Sequence, residues 1–191
     1  MKKENTVLYI LRLTATLLAI CAVVALALAG VNAITKERIA AIKAEKTQEA
    51  IRTVLPGALN LKEIPFTDAS GMVTKVYCTD YAGLDIPNSF AVEVVPNGFG
   101  GAITMMVGVG PFGEVLGISI ISHAETPGLG AVAAANTDKG AFFRNQFIGL
   151  MAGITIGKGE NQIAAISGAT ITSQAITDGV NAALECVKNL G

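Results

Sequence analysis

The sequence predicts an α+β domain with a mainly antiparallel sheet, preceded by a single transmembrane helix and a stalk helix. The first observation behind this fold class is a long uncharged stretch between Arg12 and Lys36 of the 191-residue chain. The second is that the β-branched, apolar runs follow one another in a block instead of alternating with helices, which is the order typical of α+β proteins. With 51% hydrophobic residues and a mean hydropathy of +0.54, the chain is more apolar than an ordinary soluble domain.

The uncharged stretch is long enough to cross a membrane. It runs from Leu13 to Ile34, and a spanning helix needs roughly 20 apolar residues. The alternative is a cleaved signal peptide, with Lys2 and Lys3 before it and Ala25-Leu26-Ala27 as the cleavage motif. We predict a retained anchor because the apolar run exceeds the usual signal core of about 7–15 residues. Basic residues flank both ends, so charge alone does not fix the orientation.

The segment after the span predicts a stalk helix. Apolar residues such as Ile39 and Ile42 recur at helical spacing, and Pro56-Gly57 ends the pattern. The chain therefore divides into three parts. These are 1–34 as N-terminal tail and transmembrane helix, 35–57 as stalk helix, and 58–191 as the domain.

The sequence of the domain predicts a block of strands that is followed by helices. The strands fall at Val73–Cys78, Phe90–Val95, Ala102–Val109 and Glu114–Ser122. Asn97-Gly98 and the segment 110–113 are turns between them. Aromatic residues at helix-like spacing predict a helix over 136–149, and a short strand follows at 162–165. An apolar stripe from Ala175 to Val187 predicts a final amphipathic helix.

Several function classes are excluded by composition and context. A net charge of −1 gives no basic face for nucleic acid. Three cysteines without a C-x-x-C pair, and one histidine, argue against a metal site. Gly108 to Gly113 matches G-x-G-x-x-G, but a strand follows it, so it predicts a hairpin and not a nucleotide site. A serine hydrolase would depend entirely on His123, without a nucleophile-elbow motif. We assign no catalytic residue.

Two segments carry residues suited to a ligand. The first follows a strand and contains His123, Glu125, Thr126, Pro127, Gly128, Leu129 and Gly130; its glycines let a flat ligand approach the backbone. The second precedes the last helix and contains Ser167, Gly168, Ala169, Thr170, Ile171, Thr172 and Ser173. Free N–H groups at a helix start attract anions such as phosphate. The simpler interpretations are an ordinary connection for the first segment and, for the second, a helix capped by Thr172 or Ser173.

These segments, together with the anchor, resemble a known family. The chain resembles the FMN-binding G subunit of the Rnf complex and its relative, the C subunit of the sodium-pumping NADH:quinone reductase. The shared motifs are Gly98-Phe-Gly-Gly101, Met106-Val-Gly108, Gly117-Ile-Ser-Ile-Ile121, Glu125-Thr-Pro-Gly-Leu-Gly130, Phe143 with Gln146-Phe147, and Ser167-Gly-Ala-Thr170. They occur in the family's order over roughly the last hundred residues, and the last motif is the most specific.

The resemblance implies a membrane-bound electron carrier. The Thr170 hydroxyl would hold FMN through a phosphoester bond installed by a flavin transferase, and the loop 125–130 would lie beside the flavin. The protein would sit in the cell membrane with a cytoplasmic N-tail and an extracytoplasmic domain. Its partners would be membrane lipid and the other subunits of a complex that couples ferredoxin oxidation and NAD⁺ reduction to Na⁺ or H⁺ movement.

One position departs from the family pattern. Family members usually carry an acidic residue six positions before the modified threonine, and this chain has Ala164 there. The alternative function is therefore a flavin-free structural or ligand-sensing membrane subunit that keeps the fold without being flavinylated.

Overall fold

We describe a computed structural model of the chain, which covers residues 3–58, 61–79 and 89–190. The chain forms two compact units, 1–44 and 45–191. One helix, α1 (Lys3–Val54), contributes residues to both. The predicted stalk, 35–57, is thus part of the same unbroken helix as the apolar stretch up to Val54, where the helix ends three residues earlier than predicted.

The first unit is apolar and helical. In the described part of the chain, one helix is long and apolar enough to cross a membrane, over Leu8–Val54, with a mean hydropathy of 2.6 in an 18-residue window. Its hydroxyls do not interrupt the apolar surface, because Thr14 donates to the Ile10 carbonyl at 2.9 Å and Thr16 to the Leu13 carbonyl at 2.8 Å.

The described residues of the second unit form an antiparallel sheet of five strands, which confirms the predicted α+β class. The strands are β1 (Leu61–Glu63), β2 (Val73–Thr79), β3 (Phe90–Val94), β4 (Thr104–Val109) and β5 (Val115–Ser122). They lie in the order of the sequence, and each neighbouring pair is antiparallel. The four predicted strands are confirmed within two residues at each end, whereas β1 was not predicted.

The turn between β4 and β5 is a tight hairpin. The Gly110 N–H donates to the Glu114 carbonyl at 2.8 Å, and the Gly113 N–H donates to the Gly110 carbonyl at 3.1 Å. Gly113 adopts φ +82°, the left-handed conformation that a three-residue hairpin loop requires. No helix begins at these glycines, so the hairpin prediction is confirmed.

Each face of the sheet is covered by a helix. The helix α3 (Thr170–Lys188) buries Ile176 and Val180 in the main core with Val92 and Val107. The last turns of α1 cover the other face, where Ile51, Val54 and Leu55 pack with Ala91, Met106 and Ile121. Fully burying side chains of this size contributes about 1.5–3 kcal/mol each.

Gly108 in β4 lets α1 approach the sheet. A Cβ atom at this position would lie 2.6 Å from the Val54 carbonyl oxygen and 3.0 Å from the Val54 Cβ. The opposite residue in β5, Gly117, has more room, because its Cβ would lie 3.8 Å from the Val54 Cα. The close approach of the α1 backbone to β4 therefore explains why residue 108 is a glycine, but it does not explain the glycine at residue 117.

The remaining elements of the second unit are short. A 3₁₀ helix, Gly130–Ala134, precedes α2 (Asp138–Asn145), whose N-cap Thr137 accepts the Gly140 N–H at 3.3 Å. The prediction of a helix over 136–149 was too long at both ends. Two short strands, β6 (Thr155–Ile156) and β7 (Gln162–Ile163), pair in parallel, so the mainly antiparallel fold has one small parallel pair.

Candidate functional site

Three separate segments of the chain enclose one open cavity of about 360 Å³. They are the turn before β4, the loop after β5 and the start of α3. The cavity is lined by Phe99, Glu125, Thr126, Leu129, Gly130, Gly168, Ala169, Thr170, Ile171 and Thr172. Nine of these ten residues belong to the two segments whose residue types predict a ligand site, 123–130 and 167–173.

A buried carboxylate joins the three walls. Glu125 is only 6% exposed. Its Oε2 accepts a hydrogen bond from the Thr172 hydroxyl at 2.6 Å, and its Oε1 accepts one from the Gly100 N–H at 2.9 Å. Hydrogen bonds to an ionised acceptor are stronger than neutral ones. Glu125 therefore fixes the turn at 98–101 and the start of α3 to its own loop.

The carboxylate fits only because two neighbouring residues have no side chain. A Cβ atom at Gly98 would collide with Oε1 of Glu125, and one at Gly130 would collide with Oε2. The Gly130 Cβ would also lie 2.5 Å from the Thr172 hydroxyl oxygen. The glycines of the two motifs thus make room for a buried acid in the wall of the cavity.

The start of α3 has no side-chain cap. Its N-cap residue is Ala169, whose side chain caps nothing in the described residues, so the interpretation that Thr172 or Ser173 caps this helix is wrong. The first helical hydrogen bond runs from the Ser173 N–H to the Ala169 carbonyl at 2.9 Å. The N–H groups of Thr170, Ile171 and Thr172 consequently have no acceptor within the helix, and they lie at its positive end.

The four hydroxyls of this segment have different surroundings. Thr172 is bound to Glu125. Ser173 is buried, accepts the Ile166 N–H at 3.0 Å and donates to the Ala169 carbonyl at 2.9 Å. Ser167 and Thr170 are exposed, and within the described residues neither hydroxyl has a hydrogen-bond partner. Only Thr170 of this pair lines the cavity.

Three of the side chains that line the cavity are large, apolar and exposed. Phe99 is 69% exposed, Leu129 44% and Ile171 58%. The Leu129 side chain is placed by a turn in which the Leu129 N–H donates to the Thr126 carbonyl at 3.2 Å. Gly168, at φ +75°, leaves space for it, because a Cβ there would lie 3.1 Å from a Leu129 methyl carbon. The site thus combines a polar helix start with exposed apolar side chains.

Five of the residues selected from the sequence do not line this cavity. His123 and Pro127 are exposed outside it, and the His123 Nδ1 accepts the Glu125 N–H at 3.2 Å. Ser173 is buried behind the helix start. Gly128 and Ser167 line a second cavity of about 460 Å³.

Phe99 is the lining residue that sequence reasoning did not assign. Its motif was recognised, but no local pattern indicated that the turn lies against the loop after β5. The hydrogen bond from Gly100 to Glu125 brings it there.

Ala164 lies in the second cavity, near Asp138, Lys139 and Phe142. Its backbone is fixed by the Gln146 carboxamide, which accepts the Ala164 N–H at 2.8 Å and donates to the Ala164 carbonyl at 3.3 Å. The side chain at this position is exposed.

In the described ranges, no group of three or more His, Cys, Asp or Glu side chains is placed to hold a metal ion. The first cavity itself offers backbone N–H groups that can bind an anion, the exposed Thr170 hydroxyl, and apolar side chains that can contact a flat group.

The comparison with known protein families identifies the class of the domain. A family model described as the FMN-binding domain matches residues 98–185, a range that contains all three walls of the cavity. The chain therefore carries a domain of the FMN-binding class.

Relatives that are similar over most of the chain then identify the family. The chain is 30% identical to the G subunit of the Na(+)-translocating ferredoxin:NAD(+) oxidoreductase complex of Acetobacterium woodii, over 95% of this chain and 93% of that protein. It is 31% identical to the G subunit of the ion-translocating oxidoreductase complex of Methanosarcina acetivorans, over 93% and 94%. A third relative, the G subunit of the proton-translocating ferredoxin:NAD(+) oxidoreductase complex of Clostridium ljungdahlii, is 44% identical over 52% of this chain and 53% of that protein. The chain belongs to the family of G subunits of Rnf-type ion-translocating oxidoreductase complexes, which confirms the resemblance.

Proposed function

We propose that the protein is a membrane-anchored electron-transfer subunit that carries FMN covalently on Thr170. It relays electrons within an Rnf-type ferredoxin:NAD⁺ oxidoreductase that drives Na⁺ or H⁺ translocation. The apolar part of α1 anchors it in the cell membrane with the domain outside the cytoplasm, and the other subunits of the complex are its partners. The names of the relatives and the FMN-binding domain support this role.

The observation that carries the proposal is the Thr170 hydroxyl. It is exposed at the first residue of α3, it lines the cavity, and among the described residues it has no partner. The two following hydroxyls are bound inside the protein. Thr170 is thus the hydroxyl of this segment that is open to the cavity and to a transferase.

The residues of the cavity fit FMN. The free N–H groups at the start of α3 would hold the phosphate, and Phe99, Leu129 and Ile171 would contact the ring system. When bound, FMN supplies the redox chemistry. The chain contributes position and surroundings, because Glu125 fixes the walls through Thr172 and Gly100.

Attachment requires a flavin transferase and a flavin–nucleotide donor. The bond that forms joins the Thr170 oxygen to the flavin phosphorus, and the bond that breaks is the phosphoanhydride of the donor. The nucleotide monophosphate leaves, and the hydroxyl proton passes to a base of the transferase. Covalent attachment keeps the carrier loaded outside the cytoplasm, because no dissociation equilibrium remains.

The second candidate function is the flavin-free membrane subunit. Ala164 favours it, since the family's usual acid is missing from this position. The intact mass of the protein purified from its own host distinguishes the two. A mass increased by one FMN less one water supports the carrier, and the unmodified mass supports the flavin-free subunit.

The attachment residue is tested with a matched pair of variants. We expect Thr170→Val to abolish flavin fluorescence in a denaturing gel, because the attached oxygen is removed. Thr126→Val is the control, since Thr126 is an exposed threonine of the same cavity, and we expect it to keep the fluorescence. A fluorescent Thr170→Val band, or a dark Thr126→Val band, would contradict the assignment.

The relay role is tested in native membranes. We expect membranes with Thr170→Val to contain the subunit in normal amount but to lose ferredoxin-dependent NAD⁺ reduction. Unchanged activity in such membranes would refute electron transfer through this residue.

A further inference from the structure

The outer edge of β5 is open along part of its length. β5 is the last strand of the sheet. At Val115 its outer side is paired, because the Val115 N–H donates to the Leu150 carbonyl at 2.9 Å and the Gly149 N–H donates to the Val115 carbonyl at 2.8 Å. From Ile118 to Ile121, no other described segment forms hydrogen bonds with that side. An open strand edge is a template for pairing with another chain.

This open edge forms the floor of a groove of about 270 Å³ within the second unit. One wall is the last turns of α1, and the other consists of the end of the 3₁₀ helix, the segment that follows it, and α2. The groove is lined by Lys46, Glu49, Ala50, Thr53, Ile118, Ser119, Ile120, Ile121, Ala134, Asn136 and Arg144. The floor extends over four residues, or about 13 Å at a rise of about 3.3 Å per residue.

The walls carry two cations without an acidic partner. In the part of the chain that the structure describes, neither Lys46 nor Arg144 forms an ion pair. Among the described residues that line the groove, Glu49 is the one that is acidic. Arg144 donates through Nη1 to the Ala133 carbonyl at 2.6 Å and to the Ala135 carbonyl at 3.1 Å, which leaves its Nε and Nη2 donors. Burial lowers the pKa of Arg144, since desolvation disfavours its charge. A carboxylate from outside would offset that cost.

We propose that this groove binds an extended, acidic segment of a partner subunit, which adds to β5 as a sixth strand. The inference rests on the proposed function in that the partner is another subunit of the complex. Backbone hydrogen bonds to residues 118–121 would supply the pairing, and acidic side chains of the segment would contact Lys46 and Arg144. A second copy of this chain fits less well, because β5-to-β5 pairing would bring two such cationic walls together. A lipid headgroup would use the cations and leave the strand edge unpaired.

The test is photo-crosslinking in the assembled membrane complex. A photoreactive amino acid replaces Asn136 or Thr53, which are exposed on opposite walls of the groove. Glu185, exposed on α3, is the control position. We expect both groove positions to crosslink to the same stretch of one partner subunit, containing Asp or Glu, and Glu185 not to do so. Crosslinks only to lipid, to a second copy of this chain, or to nothing would overturn the proposal.

A charge reversal tests the acidic character of the segment. We expect Lys46→Glu to reduce the crosslink yield from Asn136 by about fivefold, the upper range for an exposed ion pair. Lys158→Glu, an exposed control outside the groove, should leave the yield unchanged. An undiminished yield in Lys46→Glu would refute an acidic partner. Flavin fluorescence should be the same in both variants, which separates this test from that of Thr170.

Discussion

The hydrogen bond between Thr172 and Glu125 predicts a large stability difference between two matched substitutions in α3. Thr172 is 1% exposed, and its hydroxyl donates to the buried Glu125 carboxylate at 2.6 Å. Thr177 is fully buried in the same helix, and its hydroxyl donates to the Ser173 carbonyl at 2.8 Å. Replacing either residue by valine keeps shape and helix propensity nearly constant, so the comparison isolates the acceptor.

The magnitude follows from the two kinds of hydrogen bond. A bond to a charged group contributes about 1.5–3 kcal/mol and a neutral bond about 0.5–1.5 kcal/mol. We therefore expect Thr172→Val to lower the free energy of unfolding by about 1–2 kcal/mol more than Thr177→Val. With an m value of about 2 kcal/mol/M, the urea midpoints should differ by about 0.5–1 M.

The assay is urea unfolding of the full-length protein in detergent, followed by circular dichroism. Hydrogen exchange at Gly100 adds a local readout, because Glu125 also accepts the Gly100 N–H. This exchange should accelerate in Thr172→Val and not in Thr177→Val. Equal midpoints for the two variants, with unchanged exchange at Gly100, would refute the conclusion that Glu125 joins the three walls.

Three further predictions concern other parts of the second unit. Gly108→Ala should lower the free energy of unfolding by about 1–3 kcal/mol through overpacking, whereas Gly117→Ala, with ordinary contact distances, should leave the urea midpoint nearly unchanged; equal midpoints would contradict this. Ala164→Asp should give equal or higher flavin content by absorbance, because its side chain is exposed; a fall would mean that alanine is favoured there. Burial alone would raise the pKa of Asp68, but hydrogen bonds from backbone N–H groups and a serine hydroxyl lower it below 3.8. The ionised Asp68 therefore stabilises the fold at neutral pH, and this contribution is lost as the pH falls through the lowered pKa. Between pH 5 and 3, the free energy of unfolding should consequently fall less in Asp68→Asn than in the wild-type protein. Equal falls in the two proteins would contradict the assignment.

The sheet could be predicted because its strands carry a local signal. Runs such as Phe90–Val94 and Val115–Ser122 are rich in β-branched residues, and hairpin turns separate them. Helix α2 was predicted too long because Phe147 and Ile148 continue the helical spacing. The structure ends the helix at Asn145, and the Gly149 N–H pairs instead with the Val115 carbonyl of β5. A contact between distant segments thus overrides a local pattern.

The sequence could predict which segments form the candidate site, but not which of their hydroxyl groups are already bound inside the protein. Glycines and hydroxyls before a helix indicate an anion site from sequence, and the family motif includes Thr170. The sequence cannot show which hydroxyls are already bound. Thr172 is bound to Glu125, 47 positions earlier in the chain, and that distance gives no local signal.

By itself, the sequence determined the apolar stretch, the antiparallel block of strands and the two segments that line the candidate site, because each depends on the spacing of neighbouring side chains. Only the tertiary structure decided which residues meet. It brought Phe99 to the cavity, bound Thr172 and Ser173 inside the protein, and left Thr170 open. The physical reason is that a buried carboxylate must find hydrogen-bond donors, and here the donors come from segments far apart in the chain.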